Sequence, residues 1–86
     1  METNFYRQAL IRNFLSIVAL SDDIRAQVKV QLSIDKNRER ICGLSREELT
    51  KYLEEVEFII GEIDRKEEII NAILDECNSF NGESFP

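Results

Sequence analysis

Residues 44–80 read LSREELTKYLEEVEFIIGEIDRKEEIINAILDECNSF, and how this stretch is divided decides the fold. It opens with a helix-start signal. Ser45 is placed to cap the first-turn N–H groups, Glu48 can reach back to the Ser45 backbone, and Leu44 can pack onto Leu49. Glu47 and Glu48 also suit the positive end of a helix dipole. Apolar residues then recur at Leu49, Leu53, Val56, Ile60, Ile63, Ile70, Leu74 and Cys77, in steps of four and three broken only by Glu67. Asn81-Gly82 offers a stop signal of the left-handed type. The spacing therefore predicts one helix over 45–79, roughly 50 Å long at about 1.5 Å per residue, with a loose tail over 81–86.

Within that helix, Gly61 is read as either a point of close helix approach or a tolerated glycine. Glu67 is read as either an opening of the seam to water or one half of a pair with Arg7 or Arg12. Phe58, Ile69, Ile73 and Phe80 lie off the main seam. Slow drift of a straight helix against a seven-residue repeat accounts for Ile73 but poorly for Phe58.

Outward from this stretch, residues 5–20 are apolar over most of a helical circumference, with Thr3 or Asn4 as the cap, and such a helix needs more than one neighbour. Ser21-Asp22-Asp23 forms a second cap. Beyond it Ile24, Ala26, Val28, Val30, Leu32 and Ile34 alternate with polar residues, which is the strand period. The cap and the lack of Gly or Pro before Gly43 favour a helix over 22–41. A β-hairpin pairing with Arg38–Cys42 remains the alternative, although an isolated two-stranded hairpin is marginal.

The expected fold is thus all-α: a single domain over 1–86, a three-helix bundle of 4–20, 22–41 and 45–79. The alternative is α+β, with helix, β-hairpin and long helix in that order. The lengths imply a shortfall of cover. A second helix over 22–41 spans only about 30 Å, leaving the far end of the long helix bare, and apolar patches of that kind mark interfaces. Completion by a homodimer or by another protein is expected, with Phe14, Phe58, Ile69, Ile73 and Phe80 as the contact residues.

Charge and composition narrow the chemistry. The net charge of −6 combines 11 Lys and Arg with 17 Asp and Glu. The N-terminal half is slightly basic and the half from Leu44 onward strongly acidic, so the two are complementary. Such acidity argues against binding a phosphate backbone, which needs clustered cations. There is no histidine, which removes the usual general base, the catalytic triad and the Glu-x-x-His di-iron constellation. No glycine-rich phosphate loop or calcium loop occurs. No catalytic residue, cofactor, metal site, small-molecule substrate or membrane association is therefore inferred. Cys42 and Cys77 are too few for a disulfide framework and cannot complete a zinc site without histidine. They read as reduced thiols, in keeping with an N-terminus that lacks a secretory signal and with a cytoplasmic location. The expected function is a noncatalytic, regulatory or adaptor protein-interaction module. The alternative is an acidic nucleic-acid mimic that blocks a nucleic-acid-binding protein.

Overall fold

The computed structural model describes residues 4–83, with side chains through Phe80. Five helices follow in order: α1 (Asn4–Ala19), α2 (Ile24–Leu32), α3 (Asp35–Ile41), α4 (Arg46–Ile60) and α5 (Lys66–Glu83). No strand occurs among the described residues. The chain is all-α, and the hairpin alternative falls. The start of α1 at Asn4 leaves the Thr3 cap outside the described residues, as is the tail over 84–86.

The strand-like alternation of 24–34 has a helical explanation. Ile24, Val28 and Leu32 form the buried face of α2, while Ala26, Val30 and Ile34 remain exposed. Asp23 caps α2 by accepting the Ala26 N–H at 3.1 Å. The expected helix over 22–41 is broken, however, although neither Gly nor Pro marks the place. Ser33 donates its hydroxyl to the Val30 carbonyl at 2.6 Å, and Ile34 is extended at φ −84°, ψ 118°. The carbonyls freed at the end of α2 are then taken from outside: Asn37 Nδ2 donates to Gln31 O at 3.3 Å and an Arg38 guanidinium N–H to Leu32 O at 2.9 Å. Side chains of α3 thus add to the backbone cap of α2, in which the Ser33 and Ile34 N–H groups bond the Lys29, Val30 and Gln31 carbonyls.

The long helix over 45–79 is also two helices. Its start is as the sequence predicts: the Ser45 N–H donates to Glu48 Oε1 at 2.9 Å and the Glu48 N–H to Ser45 Oγ at 3.1 Å. It ends at Gly61, where φ is 100° and ψ 178°, a region essentially reserved for glycine. A Cβ at Gly61 would meet nothing within 4 Å, so backbone conformation and not close helix approach explains this residue. Glu57 staples the following loop, its carboxylate accepting the Ile63 N–H at 2.8 Å and Lys66 Nζ at 2.9 Å. Ile63 plugs the core beneath the turn. The chain then doubles back, so that Arg46 at the start of α4 reaches Glu67 at 3.1 Å and Asn71 at 2.7 Å near the start of α5. An unbroken helix of roughly 50 Å would exceed the longest dimension of the molecule, 42 Å. At its far end α5 continues through Asn81-Gly82 to Glu83, past the expected stop.

Folding back supplies the cover that the helix lengths lacked. Ile69, Ile70, Ala72, Ile73 and Cys77 of α5 join Ile11, Phe14, Leu15 and Val18 of α1, Ile24, Val28 and Leu32 of α2, Ile41 of α3, and Leu49, Leu53 and Val56 of α4 in one core. α2 packs chiefly on α5 and α1 on α4, with α1 also touching α2, α3 and α5, as an all-round apolar helix requires. Charge complementarity is realised at the seams: Arg12 pairs with Glu55 at 2.8 Å, and Arg25 with Asp75 at 3.3 Å and Glu76 at 3.6 Å. The cysteines, expected as separate thiols, form a Cys42–Cys77 disulfide with Cα atoms 5.3 Å apart, fixing the α3–α4 junction to α5. The sequence reading failed here because it placed Cys77 on the distant half of a straight helix.

Candidate functional site

Four of the five residues expected at an interface are used by the fold itself. Phe14, Ile69 and Ile73 lie in the core. Phe80 is half-buried, and the Arg38 guanidinium carbon sits 4.9 Å from its ring centroid. The argument that they face a second copy rested on an uncovered helix end, and that end is covered once the chain turns at Gly61. Phe58 is different. It is 92% exposed on the last turns of α4, next to Ile59 at 70%.

The neighbourhood of Phe58 follows from how α1 and α4 lie together. Arg7, Gln8 and Ile11 line one shallow hollow with Leu44, Glu48 and Tyr52, and Arg12 pairs with Glu55, so the two helices run side by side in the same direction. Just beyond their ends an Arg65 guanidinium N–H donates to the Ser21 carbonyl at 2.8 Å. The α1–α2 turn and the Gly61 loop therefore meet at one end of the molecule, where Leu20 is a further large apolar side chain at 70% exposure. Phe58, Ile59 and Leu20 are thus three exposed large apolar side chains toward this end of the molecule, none of them part of the core.

Carboxylates surround it. Glu54, Glu57 and Glu62 line an open hollow of about 570 Å3 with Phe58. The Glu57 carboxyl is held below its ordinary value of 4.5, first by the Ile63 N–H and then by the Lys66 ammonium. Lys66 is raised above its ordinary 10.5, chiefly by its bond to Glu57, with the negative fields of Glu54 and Glu62 adding to it. Neither Glu54 nor Glu62 makes an ion pair of its own among the described residues. Glu67, by contrast, is an exposed partner of Arg46 and not of Arg7 or Arg12.

Two smaller apolar spots, Phe5 with Tyr6 on α1 and Val30 with Ile34 at the α2–α3 break, are also exposed. Among the described residues no group of three or more Cys, Asp or Glu could hold a metal ion, no polar side chain is buried, and no helix is long and apolar enough to cross a membrane. Of the Phe58 surface, sequence reasoning found Phe58 because it fitted the helical drift badly. It missed Ile59, hidden in the run Phe58-Ile59-Ile60, and Leu20, which sits where an apolar helix ends. Comparison with known proteins finds no family model that matches the chain, and neither a curated protein nor a solved structure with significant similarity to it.

Proposed function

We propose that the protein is a noncatalytic interaction module, regulatory or adaptor in character, which docks another protein through the end of α4. The observation that carries this reading is Phe58, a phenylalanine almost wholly in water, with exposed Ile59 next to it in the chain and exposed Leu20 at the same end of the molecule. Fully burying a side chain of this kind contributes about 2 kcal/mol, so a partner covering all three gains substantially, whereas the isolated fold gains nothing from them. Aromatic anchors of this sort are enriched in protein interfaces.

The nucleic-acid-mimic reading has less support, because much of the acid on α4 and α5 is answered internally: Glu55 by Arg12, Glu57 by Lys66, Glu67 by Arg46, and Asp75 and Glu76 by Arg25. A homodimer through Phe14, Ile69 and Ile73 would have to open the core, so a different protein is the preferred partner. A cytoplasmic location sits uneasily with the Cys42–Cys77 bond, since reducing compartments keep most thiols open. Alkylation of the protein in intact cells, before lysis, distinguishes the open thiols of a cytoplasmic pool from a closed bond.

The docking reading is tested by placing a photo-reactive amino acid at Ile59 and, as a control, at exposed Lys51 of the same helix. A discrete cross-linked partner from Ile59 that is absent from Lys51 is expected. Equal, diffuse labelling from both positions would refute the reading.

A further inference from the structure

Phe58 has Glu54 four residues before it and Glu62 four residues after it, with Glu57 adjacent, and these four line a single open hollow. At the opposite pole of the fold the protein treats a comparable ring differently: Phe80 is covered by the Arg38 guanidinium 4.9 Å from its centroid. No cation of the described chain lies over Phe58 in this way, and the ring is 92% exposed. Lys66, whose charge feels Glu54 and Glu62, is engaged by Glu57 at 2.9 Å and forms no ion pair with either of them. The hollow therefore combines an open aromatic face with two carboxylates that have no salt bridge, and the exposed Ile59 lies on the adjoining face of α4, toward α1.

We infer that this hollow is a subsite for an arginine side chain, carried by a partner-protein segment whose neighbouring apolar residue covers Ile59 and Leu20. The assignment rests on the docking reading above and specifies the chemistry of what docks. An arginine fits the elements present. Its methylene stem can lie along apolar surface, its planar guanidinium is drawn to an aromatic face, and its forked N–H groups suit carboxylates. Lysine would satisfy the charge but neither the stacking plane nor the fork. An acidic or neutral partner would meet Glu54 and Glu62 without compensation, so the same groups that attract one class of segment exclude another.

The test uses the full chain with its disulfide closed. A phage-displayed library of random short peptides is selected on it, and the enriched sequences are synthesised for binding measured by fluorescence anisotropy. The expected peptides place an arginine beside an apolar residue. Changing that arginine to glutamine, or Phe58→Leu in the protein, is expected to weaken binding about tenfold. The double variant Glu54→Gln with Glu62→Gln is expected to weaken it and to flatten its dependence on salt, with thermal melting of the protein unchanged in each case. Selected peptides that lack a basic residue, or that ignore Phe58→Leu and the double variant, overturn the arginine subsite. If Ile59→Ser still abolishes their binding, the docking surface stands without it; if Ile59→Ser is also silent, both readings fall. Self-association of the chain alone, abolished by Phe58→Leu, would give the hollow to a second copy and overturn the assignment to another protein.

Discussion

Phe58 and Phe80 look alike in the sequence, two phenylalanines off the main seam of one acidic region, yet the fold treats them in opposite ways. Phe80 lies at a closed pole, half-buried beneath Arg38 on the same helix as the Cys42–Cys77 bond. Phe58 lies at an open pole, in water among carboxylates. The difference is made by five residues, 61–65. Turning the chain there carries Ile69, Ile73, Cys77 and Phe80 back onto α2 and the α3–α4 junction, while on the last turn of α4 only the Val56 and Ile60 face meets the core and Phe58, on the opposite face, is left in water. Position on a hydrophobic pattern therefore does not say whether an aromatic side chain is structural; the path of the backbone beyond it does.

The largest expected effect lies at the closed pole. Ile73→Ala should destabilise by about 2–5 kcal/mol, since it deletes methyl groups from a fully buried site; urea unfolding measures this, and a value near zero would mean that α5 is not folded back. Opening the Cys42–Cys77 bond, by reductant or by changing both residues to serine, should cost about 2–4 kcal/mol for a separation of 35 residues. Thermal melting with and without reductant checks it, and an unchanged transition would remove the covalent contrast between the poles.

At the hinge, Gly61→Ala should cost about 1–3 kcal/mol, because alanine is strained at φ 100°, ψ 178° although space for its methyl is open. A stabilising Gly61→Ala would instead indicate a continuous helix, where alanine outranks glycine. The smallest effect belongs to the open pole. Phe58→Ser should change the denaturation midpoint by no more than about 0.5 kcal/mol in equivalent stability, as for surface substitutions generally; a core-sized loss would place Phe58 inside.

Local signals were legible in the sequence because the groups that read them are close in the chain. The Ser45–Glu48 capping box and the Asp23 cap form as the residues predict, and the seam residues Leu49, Leu53, Val56, Ile63, Ile70 and Cys77 are all buried. The break at Gly61 escaped because Ile60 and Ile63 keep the three-residue spacing across the loop, so a periodicity continues where the helix does not. The break at Ser33-Ile34 carries no glycine or proline and depends on Asn37 and Arg38 adding to the cap of α2. The disulfide depends on an approach between residues 35 apart that exists only after both breaks have formed. The apolar half of the candidate site was partly visible in Phe58. That Leu20 lies toward the same end was not, because this follows from α1 and α4 lying in the same direction.

The central claim, that the fold covers Phe80 and leaves Phe58 open, is tested most directly by the relaxation that a soluble paramagnetic agent induces in the phenylalanine ring protons. Of Phe14, Phe58 and Phe80, the account predicts the strongest effect at Phe58, a smaller one at half-buried Phe80 and almost none at Phe14, which is buried in the core. A Phe58 ring as protected as that of Phe14 would contradict it.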